Sequence, residues 1–320
     1  MTAIEDTNLT PIKDQNIIRS GMLPVVDGHE LYWIDWGNKD VSEPIVYLHG
    51  GPGAGFDESD FTKFDPLKHR VIFFDQRGSG RSTPFASTTN NTTQDLINDI
   101  TKLKQALELD VVSLYGFSWG STLALLYAIA YPQSVNKMLI GGIFLARKVD
   151  TDFYLHGRIA SHFPEVWQRF IASVPKNKQN DIAGYYKQML QSSDEPTRKK
   201  FAKEWMMYES SILKLDYIPE KIENNLADFA SESLAYLEAH YILNNCFIEE
   251  DYIIKNAQKL NDIQIIIVQG RYDFICMPSA AYDLKNALGS NALLHFVQSG
   301  HAGGDTVQRE VVKAYVSMLW

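Results

Sequence analysis

The chain has little of several things that would direct it elsewhere. It holds two cysteines in 320 residues, Cys246 and Cys276, with none of the spacings of a disulfide framework, a metal site or a redox motif. No stretch approaches the ~18 consecutive apolar residues of a membrane-spanning helix. No Lys/Arg cluster stands out and the formal net charge is −9. An acidic protein is repelled by nucleic acid and by anionic membrane surfaces, so neither is an expected partner. Residues 1–11 are polar and acidic, unlike the apolar core of a secretory signal. There is no P-loop, no H-E-x-x-H, no internal repeat and no low-complexity linker. The expectation is a cytoplasmic protein with free thiols that uses neither metal nor organic cofactor; the oligomeric state stays unknown at this level.

What is present is patterned. An apolar fraction of 45% is ordinary for a globular protein with a sizeable core. Residues 17–36 read as a hairpin turning at Asp27-Gly28. Four short Val/Ile/Leu-rich runs follow, at Ile45–Leu48, 71–74, 111–115 and 137–140. Near-continuous apolar character of this kind is that of parallel strands covered on both faces. Between the second and third, Leu96, Ile100, Leu103 and Leu107 recur at helical spacing, with Thr92 and Asp95 as a capping box. Trp119–Ala130 reads as an apolar helix stopped at Tyr131-Pro132. Strand alternating with helix predicts a doubly wound, mostly parallel α/β sheet of about eight strands. From 147 to 258 the alternation lapses into aromatic, charged, helical sequence, and it returns with strand-like runs at 263–269 and 293–297. This predicts a core made of 1–146 and 259–320, with 147–258 inserted as a helical cap.

Gly116-Phe117-Ser118-Trp119-Gly120 is a G-x-S-x-G pattern lying directly between a strand and a helix. There the chain turns so sharply that the flanking residues must be small, and the serine hydroxyl is raised above the sheet edge at a helix N-terminus. A serine that merely caps a helix is the bland alternative. A hydroxyl is a weak nucleophile near neutral pH, so a base must take its proton and an acid must orient that base. In this architecture the chain order is serine, acid, histidine. His301 sits in a loop after the last strand, whereas His295 lies within that strand, His240 in a helical run and His69 ahead of a strand. Asp273 follows the penultimate strand, as the order requires; Asp150 or Asp152, after the strand ending near Ile140, is the rival. His49-Gly50-Gly51-Pro52-Gly53 follows the first parallel strand, where backbone N–H groups stabilise the charge that develops in acyl transfer. Gly51 and Trp119 are the expected donors. A dinucleotide fingerprint is excluded there, since its third glycine falls on Phe56 and Pro52 lacks the N–H that phosphate requires.

Together these segments resemble one family. His49–Gly53, Asp75-Gln76-Arg77-Gly78-Ser79-Gly80-Arg81-Ser82, Ser118-Trp119-Gly120-Ser121-Thr122-Leu123-Ala124-Leu125, Gly142-Ile143-Phe144-Leu145 and Gly270-Arg271-Tyr272-Asp273 are similar to the proline iminopeptidases of the α/β-hydrolase superfamily, across most of the chain. The resemblance implies a serine aminopeptidase that removes an N-terminal residue, preferentially proline, from short peptides with a free N-terminus. An aminopeptidase must hold a cationic terminus, and a partly buried carboxylate suits it. Glu209 shares a helical face with Phe201, Trp205 and Leu213, and Glu238 falls between Leu234 and Ile242. The pattern alone leaves open whether these glutamates serve a ligand or pair with Lys or Arg. The resemblance assigns both to substrate binding, through Trp205-Met206-Met207-Tyr208-Glu209 and Glu238-Ala239-His240-Tyr241. It likewise implies that Phe144 and Tyr154 line a proline pocket. Tyr208, Ile242 and Phe117 depart from the family pattern and are expected to reshape that pocket. Two readings compete: an esterase or lactonase on the same scaffold, which has no cation to bind, and a non-enzymatic ligand receptor. Haloalkane dehalogenases and epoxide hydrolases need a carboxylate where Ser118 stands.

Overall fold

The computed structural model describes residues 10–215, 222, 228–301 and 305–320. Residues 1–9 of the polar N-terminal segment and 302–304 of the histidine loop lie outside these. The hairpin is β1 (Ile17–Pro24) and β2 (Glu30–Gly37), antiparallel, with Asp27 at φ 64° in the turn. The apolar runs become β3 (Ile45–Leu48), β4 (Arg70–Phe74), β5 (Val112–Phe117) and β6 (Val135–Gly141), followed after a long helical interval by β7 (Gln264–Gly270) and β8 (Ala292–Val297). They form one eight-stranded sheet in the order β1-β2-β4-β3-β5-β6-β7-β8. All pairs from β4 to β8 are parallel; β1 and β2 join antiparallel at one edge.

The parallel strands read as unbroken apolar runs because helices cover both faces. Alternate residues point to opposite sides: Val46, Leu48, Leu114, Met138, Ile140 and Ile267 enter one apolar cluster, while Ile45, Tyr47, Tyr115, Leu139 and Ile266 enter another. A one-turn helix, α1 (Glu58–Phe61), follows β3. Next come α2 (Thr93–Ala106), opened by the Thr92/Asp95 capping box, and α3 (Trp119–Ala130), buried over nearly its whole length. One boundary differs informatively from expectation. Gly116 and Phe117 still pair with Ile140 and Gly141 of β6, so the strand runs right up to Ser118 and that single residue makes the turn.

Between β6 and β7 lie α4 (Lys148–Leu155), α5 (Pro164–Ala172), α6 (Ile182–Leu190), α7 (Glu195–Leu213), α8 (Asp228–Leu243) and the one-turn α9 (Tyr252–Lys255), with no strand among the described residues. A third apolar cluster, running from Tyr154 to Ala239, is built mainly from these helices, and Phe274 and Ile275 of the loop after β7 pack against it. Tyr241, Cys246, Ile253, Ala257 and Leu260 pack instead into the cluster beneath the sheet. After β7, α10 (Pro278–Leu288) and α11 (Thr306–Leu319) complete the layers. No helix among the described residues is long and apolar enough to cross a membrane.

Candidate active site

The order of the strands sets where chemistry can occur. β3 and β5 are neighbours, so the loop after one and the turn after the other meet at the carboxyl ends of the strands, where open α/β sheets take their ligands. Ser118 holds φ 58° and ψ −129°, a strained conformation for a residue with a Cβ. The two glycines around it leave no alternative. A Cβ on Gly116 would lie 2.3 Å from the Gly120 carbonyl oxygen, and one on Gly120 would lie 2.1 Å from that of Leu48. The Ser118 N–H donates to the Gly141 carbonyl at 3.0 Å, tying the turn to the neighbouring strand.

Asp273 and His301 come together on the loops after β7 and β8. The imidazole Nδ1 donates to Asp273 Oδ2 at 2.9 Å, and both residues are buried. The carboxylate also accepts from the N–H groups of Ile275 (3.0 Å) and Cys276 (2.7 Å) and from Gln269 Nε2 (3.0 Å). Burial pulls the imidazole pKa down, but Asp273, with the Cys276 thiol beside the ring, outweighs it and holds His301 well above its ordinary value. Gly142, at φ 51°, shows how near this pair comes to the serine. A Cβ there would lie 3.1 Å from His301 Cε1 and 3.3 Å from the Ser118 N. The rival acid Asp150 lines the same cleft as Ser118 but is gripped by Arg147 at 3.1 Å, and Asp152 pairs with Lys148 and His156.

Gly50 faces the serine, since a Cβ on it would lie 3.4 Å from Ser118 Cβ. Gly51 and Pro52 line the same cleft as Ser118. Gly51 has φ 104°, and a Cβ there would lie 2.4 Å from the Gly53 N, so only glycine makes this bend. Trp119 opens α3, which leaves its N–H without a partner inside the helix.

Above this floor sit the cap glutamates. Glu238 lines the cleft together with Ser118, Phe144, Tyr154, Ile242 and Cys276. Its Oε2 accepts from Trp205 Nε1 at 2.5 Å. Glu209 Oε2 is shut off from solvent with no hydrogen-bond partner, as is the Tyr154 hydroxyl. The two carboxyl groups are within hydrogen-bonding reach of one another. Burial pushes both pKa values up, Glu238 the further because the Glu209 charge adds to it. Neither glutamate is paired with Lys or Arg in a salt bridge among the described residues.

Of the three departures from the family pattern, only Ile242 lines the cleft. Phe117 turns to the opposite face of the sheet and stacks on Tyr115 at 5.3 Å. Tyr208 packs within the cap, 4.1 Å from the Phe170 ring, and its hydroxyl donates to the Tyr154 carbonyl. The expected effect of these two on the pocket is therefore corrected: side chains alternate across a strand, so the residue before Ser118 points away from it, and Tyr208 is taken up by the packing of the cap.

Sequence reasoning missed three supports. Gln269 accepts from the Ile143 N–H through Oε1 and donates to Asp273 and to the Cys276 carbonyl through Nε2. A glutamine closing an apolar strand run was a signal, because a buried amide must find partners. Leu213, ending α7, accepts the His301 N–H at 2.9 Å; a backbone contact across so many residues leaves no trace in sequence. Gly142 stands out in the sequence only as part of a motif, with nothing to show that it sits against the imidazole.

The family model for the alpha/beta hydrolase fold matches residues 43–306. Solved structures agree on the fold: an esterase from Exiguobacterium antarcticum superposes with TM-score 0.64 at 19% identity, covering 94% of this chain and 99% of its own. A thermophilic esterase from Thermogutta terrifontis gives 0.65 at 17%, covering 94% and 97%. The protein is thus an α/β-hydrolase carrying a serine, histidine and aspartate at the carboxyl edge of its sheet. Curated relatives narrow this further. The proline iminopeptidase of Xylella fastidiosa (strain Temecula1) is 38% identical over 88% of this chain and 90% of its own length. That of Arabidopsis thaliana is 37% identical over 93% and 79%, and that of Neisseria gonorrhoeae 38% over 89% and 91%. The chain belongs to the proline iminopeptidase family.

Proposed function

We propose that this protein is a serine aminopeptidase that releases an N-terminal residue, preferentially proline, from short peptides. Ser118 Oγ attacks the carbonyl carbon of the first peptide bond while His301 Nε2 takes its proton; Asp273 keeps the imidazole in the Nδ1–H tautomer and balances the imidazolium. The Gly51 and Trp119 N–H groups receive the developing oxyanion. The tetrahedral intermediate collapses to an acyl-enzyme as His301 protonates the leaving amine. Water, deprotonated by the same imidazole, then releases the free amino acid. Glu209 and Glu238 hold the substrate's cationic terminus, and Phe144 and Tyr154 wall the ring. The division into a core of 1–146 and 259–320 and a cap of 147–258 belongs to this reading, as does a cytoplasmic location.

The observation that carries it is the presence of a buried cap carboxyl, Glu238, in the same small cleft as Ser118. An esterase or lactonase has no cation to place there. The test compares a proline chromogenic amide with its N-acylated form, an alanine amide and a simple ester, for wild type and Ser118→Ala. Fast cleavage of the free-amine proline amide alone, lost in the variant, is expected. Ester cleavage indifferent to a free amine would move the function to an esterase. Absence of labelling by a covalent serine probe would favour a receptor.

A further inference from the structure

The two segments that supply the oxyanion donors come from different parts of the chain, and one buried side chain joins them. Gln76, 2% exposed, follows β4 by two residues. Its Nε2 donates to the His49 carbonyl at 2.9 Å, and its Oε1 accepts from the Trp119 indole Nε1 at 3.0 Å. The partners fix which way the amide faces, since a carbonyl can only accept and an indole N–H can only donate. The Gln76 backbone N–H donates to His49 Nε2 at 2.9 Å, and His49 Nδ1 donates to the Gly50 carbonyl at 2.8 Å. That pattern settles the imidazole as the neutral Nδ1–H tautomer. Burial agrees, lowering its pKa to about 4.

The geometry points to Gln76 as a positioning residue that sets the spacing of the oxyanion hole, working through His49 on the Gly50-Gly51 side and through the Trp119 indole on the other. The inference rests on the proposed roles of Ser118, Gly51 and Trp119. Only a carboxamide can do this from one position: it presents a donor and an acceptor at one planar end. A glutamate would set a lone pair against the His49 carbonyl. A methionine of similar volume would leave the indole N–H and the carbonyl both buried and unpaired. Neither change touches the substrate. Donors must lie about 2.7–3.1 Å from the place the oxyanion will occupy, and displacement on the order of 1 Å costs roughly 100-fold in rate. The oxyanion exists only after attack, so loss of the bridge falls on the transition state and spares ground-state binding.

The experiment measures kcat and KM on a proline amide for Gln76→Glu, Gln76→Met and Trp119→Phe, the last removing only the indole end of the bridge. Alongside, it measures inhibition by pyrrolidine-2-boronic acid, which forms a tetrahedral adduct with the serine, and by free proline, which does not. Melting temperatures show which variants are folded. Expected is a fall in kcat of about 10- to 100-fold with little change in KM, matched by an equal weakening of the boronate and no change for proline. The Gln76→Met, Trp119→Phe double variant should lose much less than the product of the single losses. If the boronate binds wild type no better than proline does, the underlying serine and oxyanion reading fails. If the boronate is tight in wild type and equally tight in folded variants, that reading stands and the role of Gln76 is overturned. A rise in KM with kcat intact overturns it too.

Discussion

The backbone N–H of His301 donates to the carbonyl of Leu213 at 2.9 Å, so the helix that carries Glu209 also holds, one turn further on, the loop that carries the imidazole. A second seam lies opposite, where Ser233 Oγ of α8 donates to the Gly53 carbonyl at 2.8 Å. The cap thus touches the histidine loop through α7 and the HGGPG loop through α8.

Gly300→Ala tests the first joint. A Cβ on Gly300 would lie 2.8 Å from the Leu213 carbonyl oxygen and 3.2 Å from the Lys214 Cα, and neither backbone atom yields without moving the end of α7 or the histidine loop. We expect kcat/KM to fall on the order of tenfold to 100-fold, the cost of misplacing a reacting group by a fraction of an ångström to an ångström, with the melting temperature changed little. Unchanged kinetics would show that the joint does not constrain the imidazole.

The raised pKa of His301 fixes the sign of the pH response. A general base must be neutral, and an imidazole held above its ordinary range stays protonated until higher pH. The rate should therefore climb with pH and level off only above the usual imidazole range. Asp273→Asn removes the charge that opposes burial. Its residual activity should level off at lower pH, at a plateau reduced about 10⁴-fold because the Nδ1–H tautomer is no longer enforced. A pH–rate profile of kcat for both proteins checks this; coincident midpoints would contradict it.

Much of this site is legible in the amino-acid sequence. Strand, sharp turn and helix around Ser118 follow from apolar runs flanking small residues, and His301 from its loop after the last strand. Asp150 and Asp273 both lie between Ser118 and His301 in the chain, and the place of Asp273 after the penultimate strand favours it; the structure adds a physical reason, that Arg147 already occupies Asp150. What stays hidden depends on where side chains meet across long sequence distances. Periodicity places Glu209 on a face with Phe201 and Trp205 but does not show that the face meets another carboxyl. Family likeness suggests that Phe117 matters to the pocket, whereas the strand continues to Phe117 and directs its ring to the far side.

The two buried carboxyls predict a second acidic limb, this one in binding. Burial raises both pKa values, and the Glu209 charge raises that of Glu238 further, so as pH falls the pair takes up protons and loses the charge that attracts an ammonium group. KM for a free-amine substrate should rise on acidification. Glu238→Gln should raise KM at neutral pH at least ~30-fold, the factor equal to the ~2 kcal/mol lower bound for truncating a buried charged hydrogen bond, and should flatten the pH dependence of KM. Hydrolysis of an ester without an amine should be unaffected. Equal losses on both substrates would assign Glu238 a structural role.

Cys276 offers a chemical probe of the acid loop. Its N–H donates to Asp273 Oδ1 and its carbonyl accepts from Gln269, so an adduct on the sulfur displaces the segment that holds the carboxylate. Burial lifts the thiol pKa to about 11. Near neutral pH almost none is thiolate, the reactive form, so alkylation by iodoacetamide should be slow and should quicken as pH rises. Cys246 is also buried, with a thiol pushed higher still, so one sulfur should react first. A bulky mercurial, once bound to Cys276, should abolish activity, and proline in the cleft should slow the reaction because Cys276 lines it. Mass spectrometry after partial modification ties adduct to activity. Full turnover by a protein completely modified at Cys276 would show that the acid loop tolerates the displacement and that Asp273 is held by Gln269 and Ile275 alone.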